Sequence, residues 1–89
     1  MDRQLFKIEE AARQCSIETT IIVEWIQNEW IMPAEPDNTL DEEDLARIQL
    51  ILNLRSEFGV NDEAIPIILG LLDQLHHLHH RLRQNTDRT

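Results

Sequence analysis

Cysteine occurs once, glycine twice and tyrosine never in 89 residues, and lysine and arginine together number only eight. A lone cysteine, Cys15, rules out an internal disulfide framework and points to a reducing compartment. Few glycines, no run alternating with period two and an apolar set dominated by Leu and Ile leave little for strands, so a mostly helical chain is expected. No charged start followed by an apolar core marks a signal peptide. The longest nearly apolar run, 65–72, is far below the roughly 20 residues that span a bilayer. A cytoplasmic location is therefore expected. The shortage of bases against 17 acids sets the net charge at −9. That charge opposes nucleic acid and anionic membranes and favours basic protein partners.

What is present is organised around residues 8–33. Ile8, Ala11, Ala12 and Cys15 recur at helical spacing and predict a helix over 8–15. Ile17 falls in a short turn, and 20–27 makes a second helix with Ile21, Ile22, Trp25 and Ile26 on one side. This order predicts a helix-turn-helix. A second helix that reads DNA presents Arg, Lys, Asn or Gln to base edges, with flanking bases for phosphates. Here it carries Glu18, Glu24 and Glu29, and no Lys or Arg lies between Cys15 and Pro33. Trp25 and Trp30 have two readings: core anchors, or one of them an exposed hot spot for a partner.

Two prolines and the Asp37-Asn38 pair between Met32 and Leu40 end the helix and make a turn. A small wing fits here, with 31–32 and 39–40 as its stubs. Asp41 then caps a third helix, Asp44 completes a capping box, and Glu42 and Glu43 suit the positive end of the dipole. Helix-start chemistry is the plainer reading of these four acids; the alternative, compatible with it, is a docking patch for a basic partner. The helix continues through Leu45, Ile48, Ile51, Leu52 and Phe58, and Gly59 closes it.

Asn61 or Asp62 is expected to cap the last helix. Pro66 sits in the first turn if that helix starts near Glu63 and kinks it if it starts at Asn61. Ala64, Ile68, Leu71, Leu75, Leu78 and Leu82 alternate four- and three-residue steps, a heptad seam that implies a homodimer. The expected division is a helix-turn-helix domain over 1–60, a dimerisation helix over 61–83 and a flexible tail over 84–89. His76 and His80 lie four apart and are suited to Zn, Ni or Cu, but no carboxylate or Cys completes the set locally; a solvated helix face is the plainer reading. Without a nucleophile setting or a glycine-rich phosphate loop, the chain is expected to be no enzyme and to carry no cofactor or metal.

These pieces, in this order, resemble the MerR superfamily of helix-turn-helix regulators. The carrying residues are Ile8-Glu9-Glu10-Ala11-Ala12; Trp30-Ile31-Met32-Pro33, similar to the family's GLLxP with Glu29 where its Gly stands; Asp41-Glu42-Glu43-Asp44-Leu45; and Leu54-Arg55-Ser56-Glu57-Phe58-Gly59-Val60, similar to its LRxxGV turn. The resemblance implies an all-α fold: a MerR-like helix-turn-helix with a small wing, followed by a long C-terminal helix of coiled-coil type. Two departures separate it from DNA-binding members. Val23 and Glu24 stand where those carry Arg and an aromatic, and no effector domain is expected after the last helix.

Both departures, with Leu54 to Gly59 and the Leu71-Leu72-Asp73-Gln74-Leu75 seam, make it similar to the chaperone modulators of the CbpM type. That resemblance implies a dimeric inhibitor that binds the J domain of a DnaJ-like co-chaperone (CbpA type) and blocks its stimulation of the chaperone DnaK. Between residues 8 and 46 there are eleven acids and one base, Arg13, a charge pattern that suits a basic J-domain helix. The contact residues expected on this basis are Glu24, Trp25, Glu29, Asp41, Glu42, Glu43 and Asp44, and the alternative is a DNA-binding regulator of the same superfamily.

Overall fold

The structure, a computed structural model, describes residues 4–33 and 37–87, and side-chain surroundings through residue 83. Glu35, expected in the turn, lies outside the described residues. Among the described residues four helices follow one another: α1 (Ile8–Cys15), α2 (Thr19–Gln27), α3 (Glu42–Ser56) and α4 (Ile65–Asp87). The chain divides into two compact units, 1–59 and 60–89. Among the described residues no helix is long and apolar enough to cross a membrane.

In the first unit α1 packs against both α2 and α3. Of its apolar stripe the two small residues Ala11 and Ala12 are the buried ones. Ile22 and Trp25 from α2, Ile48 and Ile51 from α3, and Phe6, Trp30, Ile31 and Leu40 from the connections complete the core. Helices as short as α1 and α2 are unstable in water alone, so this packing is what holds them.

One pairing joins the segments on either side of the helix-turn-helix. Phe6 and Leu40 form an isolated antiparallel bridge, each N–H donating to the other's carbonyl at 2.8 Å. The backbone partner of Leu40 is therefore Phe6, rather than the 31–32 stub expected for a wing. Both side chains are buried, so the bridge is held by core packing as well as by hydrogen bonds.

Asp41 caps α3 in a reciprocal capping box: Asp44 N–H donates to Asp41 Oδ1 at 2.9 Å and Asp41 N–H donates to Asp44 Oδ2 at 3.0 Å. The helix ends at Ser56, earlier than the apolar pattern implied, and Phe58 lies beyond it, 71% exposed. Gly59 follows with φ 62°, the left-handed conformation expected of a residue just past a helix end.

In the second unit Asn61 Oδ1 accepts from Ala64 N–H at 3.0 Å and shapes the turn that leads into α4. The helix begins at Ile65, which puts Pro66 in its first turn, where the missing N–H has no intrahelical partner to lose. Ile65 and Leu69 are buried. The helix runs on through residue 87 instead of ending at 83.

Candidate functional site

The end of α2 decides which residues can meet a partner. Glu29 N–H donates to the Ile26 carbonyl at 3.0 Å, and Trp30 N–H reaches back to the Trp25 carbonyl at 2.9 Å. Glu29 itself has φ 63°. This is the Schellman arrangement, in which a left-handed residue lets two backbone N–H groups recapture the last carbonyls of the helix and brings two apolar side chains together. Here those side chains are Trp25 and Trp30, with ring centroids 6.0 Å apart and planes tilted by 34°. Ser16 closes α1 in the same way, with φ 59° and the Ile17 N–H donating to the Ala12 carbonyl.

Trp25 is 2% exposed and Trp30 8%. The expectation that one of them is an exposed anchor for a partner is therefore corrected. Each completes the other's packing at the cap, and α3 covers them further. Arg47 Nε donates to the Trp30 carbonyl. The Arg55 guanidinium lies over the Trp25 ring, 5.9 Å from its centroid. Sequence reasoning missed both arginines, although Arg47, Ile51 and Arg55 fall at four-residue steps on one stripe of α3 with Ile51 in the core.

Asp41 and Asp44 are corrected as well. Both are buried, and their carboxylates are engaged with each other's backbone N–H. Burial pushes the Asp44 carboxyl above its ordinary value, and the neighbouring charge of Asp41 adds to the rise. These two acids hold the helix start. Glu42 and Glu43 beside them remain exposed, as do Glu9, Glu10, Glu18, Glu24, Glu29 and Asp37. In α2 the exposed residues are Thr20, Val23, Glu24 and Gln27, one helical stripe without a base.

On α4 the expected seam is open to solvent along most of its length. Leu71, Leu75, Leu78 and Leu82 are each more than half exposed. Ile68 is half-buried, and Ala64 stands just before the helix, its carbonyl accepting from Ile68 N–H at 3.0 Å. The seam within α4 therefore starts at Ile68.

His76, His77, His79 and His80 are exposed, and no three His, Cys, Asp or Glu side chains among the described residues come together as a metal-binding group. Cys15 is half-buried, and burial pushes its thiol up, away from the reactive thiolate. A groove of about 480 Å³ beside α1, lined by Leu5, Phe6, Lys7, Glu9, Glu10, Arg13 and Thr39, mixes both signs of charge and holds no histidine or thiol.

A family model described as MerR HTH family regulatory protein covers residues 6–85. The chain belongs to that family. No curated protein and no solved structure matches it. Glu29 and Gly59 both take the left-handed conformation, which glycine adopts without steric cost and glutamate does not.

Proposed function

We propose that the protein is a non-enzymatic chaperone modulator of the CbpM type. It acts as a homodimer that binds the J domain of a DnaJ-like co-chaperone of the CbpA type and prevents stimulation of DnaK. The observation that supports this reading is the charge of the helix-turn-helix unit: among the described residues between 8 and 46, eight acids are exposed, against one exposed base, Arg13. The acids at Glu24, Glu29, Glu42 and Glu43 would attract the basic helix that a J domain offers to DnaK, and the bound modulator would occlude it. Attraction of this kind speeds encounter and weakens as salt rises.

The test is DnaK ATPase activity stimulated by the co-chaperone, titrated with this protein. Stimulation should fall to the basal rate while basal DnaK activity stays constant, and a higher protein concentration should be needed as salt increases. Full stimulation at saturating protein would overturn the reading.

Family membership favours a second reading, a MerR-type transcription regulator that binds DNA. A low-salt gel shift separates the two. A DNA binder retards any duplex in a salt-sensitive way, because release of phosphate counterions drives non-specific binding. The exposed Thr20, Val23, Glu24 and Gln27 of α2 offer no base to phosphates, so no retardation is expected.

A further inference from the structure

Burial of both tryptophans leaves the acidic unit in need of an apolar contact, since charge alone sets on-rate more than affinity. The large apolar side chains that this unit exposes among the described residues are Leu5, Val23, Met32 and Phe58. Val23, 40% exposed, is the one of these that lies on a regular element, in the middle of the α2 stripe Thr20, Val23, Glu24 and Gln27. The stripe is bounded by acids at both ends: Glu18, whose Oε2 accepts from the Thr20 hydroxyl at 3.4 Å, and Glu29 in the left-handed turn. An apolar centre with a polar rim carrying charges of one sign has the layout of a protein-docking patch.

We infer that the solvent face of α2 is the docking surface, and that its occupant is a Lys/Arg-bearing helix of the protein partner, seated with an apolar side chain on Val23 and cations on Glu24 and the flanking acids. This rests on the functional reading above. It assigns Glu42 and Glu43 a different part. Asp41 and Asp44 are locked in the capping box, and the two glutamates left exposed at the start of α3 have no exposed large apolar neighbour on that helix, so they steer the partner without holding it.

Association and dissociation kinetics with the purified J-domain co-chaperone separate these parts. Val23→Ala should raise the dissociation rate several-fold with the salt dependence intact. Glu24→Lys should raise it about tenfold, as loss of a partner-facing charge contact does, and flatten the salt dependence. The double variant E42K/E43K should slow association several-fold and leave dissociation within about twofold, as rim charges do. All four positions are exposed, and an unchanged circular dichroism spectrum shows that each variant is folded. Wild-type binding that survives V23A and E24K, or dissociation that responds to E42K/E43K instead, overturns the α2 surface while leaving the chaperone reading intact. No binding by the wild type overturns both.

Discussion

At the scale of single residues, two left-handed positions behave oppositely. A non-glycine residue in this region is strained by about 1–2 kcal/mol because Cβ crowds the following carbonyl. Glu29 bears that strain at φ 63°, whereas Gly59 avoids it at φ 62°. A Cβ on Gly59 would meet nothing within 4 Å, so only the backbone opposes a side chain there. Gly59→Ala should therefore lower stability by about 1 kcal/mol, and Glu29→Gly should raise it by up to about 1 kcal/mol, less the extra freedom glycine has in the unfolded chain. Urea midpoints measured with unchanged slopes would show both shifts. Equal effects of the two substitutions would mean that the turn after α2 does not need its left-handed residue. The glutamate's position was legible in the sequence as a departure from a glycine-bearing pattern. Its conformation was not, because nothing local distinguishes a strained glutamate from an ordinary one.

At the scale of elements, the capping box is the part read most directly from sequence, since all its bonds lie within four residues. What sequence did not disclose is that the box is buried, which depends on distant packing. That burial gives Asp44 a pH signature. A carboxyl whose value is raised on folding binds its proton more tightly in the native state. Its stabilising contribution is complete below the unfolded carboxylate value and is lost as pH rises through the folded one. Asp44→Asn keeps an acceptor oxygen for the Asp41 N–H but cannot titrate. Measured against it from neutral pH downward, the wild type should gain stability relative to the variant as pH falls into the carboxylate range. A constant difference would show that Asp44 titrates normally. Asp41→Ala removes the cap acceptor and should cost about 1 kcal/mol at neutral pH. The same dependence on distance explains the other differences. The Phe6–Leu40 bridge, the Arg47 bond to the Trp30 carbonyl and the Arg55 guanidinium over Trp25 join residues 17 to 34 positions apart, and no local pattern encodes such partners.

At the scale of the whole molecule, the exposed leucines of α4 set the remaining question. Leu71, Leu75, Leu78 and Leu82 keep heptad spacing and stay open to solvent in a single copy. Burying that stripe against a second copy would remove apolar surface from water along three helical turns, at about 25 cal/mol per Å². Gly70 lies just before it with open space around it, so a close helix approach is not obstructed there. The homodimer proposed above then predicts that the protein sediments at twice its 10.5 kDa chain mass at micromolar concentration. Its melting temperature should also rise with protein concentration, because association stabilises the folded state by mass action. Leu75→Lys with Leu78→Lys places charges on the stripe and should halve the sedimenting mass, lower the melting temperature and abolish its concentration dependence. The helix-turn-helix core should stay folded, since none of its buried residues is altered. A wild type that sediments as one chain at every concentration would leave the stripe for another partner and remove the dimer from the mechanism. If the double lysine variant is monomeric yet still blocks co-chaperone stimulation of DnaK, the acidic unit inhibits one J domain per chain and the dimer contributes only stability or avidity.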